Sequence, residues 1–208
     1  AEAGSHCITY AVDQVADFTA SQLVSQGMET SFEVFRYGEA LGTMRISVPG
    51  RHNVMNCLAC VVVGMQLGIP FEQIAAIMPG FGGVKRRFQT KGRAHGIWVV
   101  DDYGHHPTEI LTTLHGAKAA TDGRVVCVFQ PHRFSRTQLL AREFGTAFTP
   151  ADVIVLTDVY AAGEAPIPGV DGETILRELQ VRPGQIVHYC QSQQSLEECI
   201  FPLLRAGD

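Results

Sequence analysis

Apolar positions between residues 7 and 48 come in short runs broken by turn-forming residues. Cys7–Val12, Phe18–Val24, Ser31–Tyr37 and Gly42–Val48 are separated by Asp13, Gln26-Gly27 and Gly38-Glu39, which predicts a meander of short strands. Ser31 to Arg36 alternates imperfectly, as a half-exposed strand does. Pro49-Gly50 ends that rhythm. From about Asn53 to Leu67 the residues Val54, Leu58, Val61, Val62 and Met65 recur at helical spacing, and Gly68 stops the helix. A second, short helix follows Pro70 and uses Phe71, Ile74 and Ile77. Pro79-Gly80-Phe81-Gly82-Gly83 is rich in glycine and predicts a boundary between a domain over 1–82 and one over 83–208.

Beyond that hinge, strands and helices alternate. The pattern predicts strands over 97–101, 124–130, 152–158 and 185–190, each followed by a helix: 107–120, 137–148, 172–180 and 193–204. Such β-α repetition implies an α/β fold with a mostly parallel sheet and helices on its faces. The sequence ends straight after the last predicted helix, where another strand would be natural, so we expect a truncated domain.

Ligands in open α/β sheets bind at the carboxyl ends of the strands. Polar residues gather there three times: Asp101-Asp102-Tyr103-Gly104-His105-His106, then Gln130-Pro131-His132-Arg133-Phe134-Ser135-Arg136, then Asp158 to Glu164. One polar loop is ordinary; three in succession predict a functional edge. Neighbouring histidines such as His105 and His106 point differently on a turn, and no His-x-x-x-His supports a transition metal. A metal-dependent hydrolase using His105, His106 and His132 is therefore the weaker reading. No Gly-x-Ser-x-Gly elbow occurs either. Asn53 and Asn56 lie three apart at a helix start, where they suit either capping or the donor-acceptor edge of adenine. Lys85-Arg86-Arg87 is either a solvated basic turn or a clamp for a phosphoryl group.

Composition narrows the classes. Hydrophobic residues are 46% and charged residues 18% of 208, enough for a sizeable core. A net charge of −5 argues against a nucleic-acid partner. No apolar run reaches the length of a membrane span, and no signal peptide is visible. The opening Gly4-Ser5-His6 reads as a cloning remnant, and the missing initiator Met suggests a fragment or a processed chain. Cys57 and Cys60 have metal-like spacing, but no second pair joins them, so packing in a reducing cytosol is expected.

Taken together, the motifs resemble the Mur ligase family of peptidoglycan synthesis. The resemblance rests on Gly50 to Asn56, Arg86-Arg87-Phe88, Asp101 to Glu109, Phe129 to Thr137 and Asp158 to Glu164, in that order. Tyr-Gly-His-His and Gln-Pro-His-Arg look like the branch that joins L-alanine to UDP-N-acetylmuramate; the branch that recycles a tripeptide is the runner-up. The resemblance implies the C-terminal part of a central ATP-binding domain (1–82), then a truncated, Rossmann-like amino-acid-binding domain (83–208). It implies cytoplasmic amide-bond formation from ATP, UDP-N-acetylmuramate and L-alanine through an acyl phosphate. It places Asn53 and Asn56 at adenine, Arg87 at the γ-phosphate, and Asp102 and Tyr103 at the ribose and nucleotide pocket. His105 and Arg136 would orient alanine, while His132 and Arg133 would face the muramoyl or acyl-phosphate group. Arg87, His105 and His132 are the expected catalytic positions. No Gly-x-x-Gly-Lys-Thr/Ser phosphate loop and no Met-Gly-Ala-Gly-Asp-like last strand occur. The ligands for Mg2+ and a modified Lys would lie upstream, in the rest of the central domain, so the chain alone is expected to be inactive. A stand-alone nucleotide-binding module is the alternative from another class.

Overall fold

The structure is a computed structural model that describes residues 7–191 and 195–208. The reading of Gly4-Ser5-His6 and the predicted start of the last helix at 193 lie outside the described residues. The chain divides into two compact units, 1–84 and 85–208.

In the first unit, strands β1 (Tyr10–Val12), β2 (Phe18–Gln26), β3 (Glu29–Arg36) and β4 (Glu39–Ile46) form one sheet in the order β1-β2-β3-β4. β2, β3 and β4 are antiparallel neighbours, as a meander requires, but β1 pairs with β2 in parallel. Helix α1 (Arg51–Gln66) begins two residues before the predicted start, and α2 (Phe71–Ile77) follows Pro70. Period-two alternation puts Phe32 and Val34 of β3 on the buried face, where Phe18, Met44, Val54, Leu58 and Val61 complete a core between sheet and helix. Cys57 packs there, and burial pushes its thiol up to about 12; Cys60, expected to pack as well, is exposed.

The second unit differs from the expectation in its sheet. A strand that was not predicted, β5 (Gln89–Ala94), pairs antiparallel with β6 (Ile97–Asp101). Only β7 (Val126–Phe129), β8 (Val153–Thr157) and β9 (Ile186–Cys190) form the parallel ladder. β6 therefore belongs to a two-stranded ribbon, not to the parallel sheet. A cavity of about 400 Å3, lined among others by Trp98, Val100, Leu114, Val126 and Val128, lies between the ribbon and β7.

Helix α3 (Pro107–Ala120) matches its prediction. The expected helix over 137–148 is instead two short ones, α4 (Phe134–Leu139) and α5 (Ala141–Ala147). α6 (Glu173–Glu178) follows β8, and α7 (Leu196–Ile200) continues into a 3-10 turn over Phe201–Leu203. β8 is buried on both faces: Ile154 and Leu156 face Phe129, Phe144, Phe148 and Ile175, while Val153 and Val155 face Cys190 and Cys199. A disulfide joins Cys190 to Cys199, a pairing at odds with the expected reducing environment. Asp152, at the start of β8, accepts from Lys118 Nζ (2.6 Å), the Val125 N–H (2.8 Å) and Arg182 Nη2 (3.2 Å), pinning α3, β7 and the turn before β9 to one carboxylate.

Candidate active site

The loop after β6 is held from within. Asp102 accepts from the Phe88 N–H (2.8 Å) with one carboxylate oxygen and from the Gly104 N–H (2.7 Å) with the other. Each oxygen keeps capacity for a second hydrogen bond. A Cβ on Gly104 would stand 2.9 Å from the Asp102 carboxylate, which would have to shift to admit it. The Tyr103 N–H donates to the Arg86 carbonyl (2.7 Å), which carries the basic segment alongside this loop. Arg86 lies over the Tyr103 ring, 4.7 Å from its centre, and Arg87 stands 6.0 Å from the same centre.

Glu109 is the joint of this first loop. It sits at the third position of α3 and completes a capping box with His106, whose ring nitrogen accepts from the Thr108 N–H. His106 is thereby a helix cap. One Glu109 oxygen accepts from the backbone N–H groups of His105 (3.0 Å) and His106 (3.1 Å), and the other faces Arg87 at 3.7 Å. Burial pushes this carboxyl up, but the two N–H donors, His105 and Arg87 outweigh it and hold it below the usual range.

The histidines have distinct roles. His105 Nδ1 lies 3.0 Å from the Tyr103 carbonyl, which can only accept, so Nδ1 carries the proton and Nε2 is left to accept. Arg136 Nη1 can only donate, so at 3.3 Å it makes His132 Nδ1 the acceptor; the same Nη1 reaches the His132 carbonyl at 3.2 Å. Burial, then Arg136, Arg133 and His105, lower the His132 pKa and favour the neutral ring. The His105 and His132 rings stand 6.1 Å apart, and His132 lies 5.5 Å from Tyr160. The loops after β6, β7 and β8 therefore meet, although β6 is outside the parallel ladder.

Arg87, Tyr103, His105, His132 and Arg136 thus form one chain of contacts in the second unit. Arg133 sits beside them with its backbone at φ 76° and its guanidinium 3.7 Å from Glu164. None of Arg87, His105, His132, Arg133 or Arg136 lines the 400 Å3 cavity. Asn53 and Asn56 belong to the first unit. Gly50 is the N-cap of α1, so Asn53 is not the cap; its amide donates to the Pro49 carbonyl (2.6 Å), and the Asn56 amide to Asn53 Oδ1 (3.4 Å). Glu109 and Glu164 had no role from sequence alone, although the His106-x-x-Glu109 spacing is a capping-box signal. Among the described residues no group of three or more His, Cys, Asp or Glu could hold a metal ion.

Two family models match the chain: Mur ligase middle domain over residues 1–64, and Mur ligase, glutamate ligase domain over residues 86–208. The chain belongs to the Mur ligase family. A UDP-N-acetylmuramate–L-alanine ligase of Syntrophotalea carbinolica is 46% identical over 207 residues, covering 100% of this chain and 45% of that protein. Among solved Mur ligases, the UDP-N-acetylmuramate-alanine ligase of Thermotoga maritima superposes with a TM-score of 0.77 at 28% identity, covering 93% of this chain and 41% of that one. A murein peptide ligase of Psychrobacter arcticus gives 0.59 at 25% identity, covering 96% and 41%. This Mur ligase chain spans about half the length of the curated relatives it matches. Its mixed α/β fold with a parallel three-stranded sheet is that of the family. No described helix is long and apolar enough to cross a membrane.

Proposed function

We propose that this sequence supplies the amino-acid side and part of the nucleotide side of a cytoplasmic, ATP-dependent ligase that joins L-alanine to UDP-N-acetylmuramate. The observation that carries the reading is the cluster of Arg136, His132 and His105, in which a guanidinium flanks two imidazoles of opposite tautomer. A planar guanidinium fork matches the two oxygens of a carboxylate, and Arg136 is our candidate for that contact with alanine. The free Nε2 of His105 can accept from the alanine ammonium group. The His132 Nε2–H, with Arg133, faces the muramoyl carboxylate or its acyl phosphate.

On the nucleotide side, Arg87 is the candidate for the γ-phosphate, where a fixed cation stabilises the charge that moves during phosphoryl transfer. Its 3.7 Å contact with Glu109 is loose enough to be exchanged for a phosphoryl oxygen. Tyr103 and Asp102, in the second unit, are the candidates for the nucleotide's ribose side, and Asn53 and Asn56, in the first unit, are the candidates for the adenine edge. Among the described residues no group of three or more His, Cys, Asp or Glu could hold the magnesium ion of such a reaction. The 1–82 and 83–208 segments are read as the end of a central ATP-binding domain and a C-terminal amino-acid-binding domain.

Substitution in a longer protein that carries this sequence tests the reading. Arg87→Ala should abolish alanine-dependent phosphate release. Arg136→Lys should raise the KM for alanine, because an ammonium cannot bind both carboxylate oxygens. Unchanged kinetics in Arg136→Lys would remove that residue from the alanine site. The tripeptide-recycling reading, supported by the likeness to the murein peptide ligase, requires a tripeptide to replace alanine as the substrate.

A further inference from the structure

The loop after β8, residues 158–164, has no chemical role in the reading above, yet it is bound to the 131–136 turn at several points. We propose that Glu164 is a positioning residue: its carboxylate holds the 133–135 turn and thereby sets where His132, Arg133 and Arg136 point. The proposal rests on the reading of that turn as the amino-acid and acyl-phosphate side.

The backbone connection comes first. The Arg133 N–H donates to the Tyr160 carbonyl (2.8 Å), and the Tyr160 N–H donates to the Pro131 carbonyl (2.7 Å). This bridge extends the parallel pairing of β7 and β8 past the strand ends. It leaves Arg133 at φ 76°, a conformation that a bulky residue keeps only when its surroundings over-determine it. Glu164 supplies that hold from the far side of the turn. One oxygen accepts from the Ser135 N–H (3.0 Å), and the other accepts from the Ser135 hydroxyl (2.6 Å) and faces Arg133 Nη1 at 3.7 Å. These donors keep the Glu164 carboxyl below its usual range, the Ser135 hydroxyl foremost.

The geometry separates Glu164 from a general scaffold residue. It touches the residues on both sides of Phe134, at the point where the turn becomes α4, and Arg136 lies one residue beyond Ser135. Arg133 has five N–H donors, and its edge contact with Glu164 leaves most of them available. The charged and titratable groups facing His132 are Arg136, Arg133, His105 and Glu164, and Glu164 alone among them favours the protonated ring. Its removal therefore reaches His132 through charge as well as through the turn.

Two measurements test the proposal, and the first needs no reaction. In this chain, NMR of Glu164→Gln and Glu164→Ala should shift the Ser135 amide and Arg133 Nε signals. The His132 titration midpoint should move down in both variants, while the core signals of Phe144 and Ile154 stay in place. Coincident Ser135, Arg133 and His132 signals in Glu164→Ala would overturn the proposal, whatever the enzyme does. In the longer protein, Glu164→Ala should lower kcat/KM for alanine by up to about 10²-fold, the effect that a misplacement of about 1 Å can carry. Glu164→Gln, which keeps an acceptor for Ser135, should fall between it and wild type, and the KM for ATP should change less than about two-fold in both. Equal losses for alanine and ATP, with a lowered melting temperature, would make Glu164 a scaffold residue and overturn the proposal. If the unsubstituted longer protein releases no phosphate with alanine, the functional reading fails, and the NMR result still decides the role of Glu164 in the turn.

Discussion

Replacing Glu109 with alanine removes the side chain that ties the loop after β6 to the start of α3. Three losses follow from its contacts. The half of the capping box that satisfies the His105 and His106 N–H groups goes, at about 1 kcal/mol. The negative charge at the N-terminus of α3 goes, at about 0.5 kcal/mol. The ion pair with Arg87 is long, at 3.7 Å, and the side chain is 36% exposed, so it adds at most about 0.5 kcal/mol. The sum is about 1.5–2 kcal/mol. In urea this lowers the midpoint by about 1 M for a unit of this size. Trp98 is the one tryptophan in the sequence and packs edge-on against Phe88, so its fluorescence reports unfolding of the second unit. The loss should also depend on pH. The Glu109 carboxyl is held below its ordinary value, so its contribution is fully present above the unfolded pKa of about 4.3. It disappears as the pH falls through the folded pKa, and variant and wild type should converge there. An unchanged urea midpoint at neutral pH, or a difference that persists in acid, would refute the reasoning.

Other expectations follow from the same contacts. Asp152→Asn should destabilise the second unit by about 1–3 kcal/mol in the same fluorescence assay, because Lys118 and Arg182 lose their shared carboxylate. Phe144, 1% exposed, should cost about 3–5 kcal/mol when truncated to alanine, read as the shift in denaturation midpoint. Arg136→Ala should raise the His132 pKa, observed by NMR titration of the imidazole, because the Arg136 charge is among the groups that lower it.

Regular apolar periodicity made much of the fold legible. β3 and β8, α1 and α3 were readable because one face or both faces of each are buried, and burial imposes the period. β5 was missed because Gln89-Thr90-Lys91-Gly92-Arg93-Ala94 is a mostly exposed strand with no buried face to impose alternation. Its omission made β6 look like the first strand of the parallel sheet. The residues Phe134-Ser135-Arg136 looked like loop chemistry yet form the first turn of α4, because the reversal is made at Arg133 by a positive φ that residue type does not announce. The strand-end motifs located the polar loops, but pairwise contacts such as Glu109 with Arg87 and Glu164 with Ser135 depend on folding. The Cys190–Cys199 pairing was equally out of reach, since spacing does not specify connectivity.

The most direct test is an amino-acid panel on a longer protein that carries this sequence and the family's phosphate loop. With UDP-N-acetylmuramate and ATP present, phosphate release should be fastest with L-alanine, slower with glycine and L-serine, and absent with a tripeptide. Release that requires the tripeptide, or that ignores the amino acid supplied, would contradict the assignment of Arg136, His132 and His105 to an alanine site.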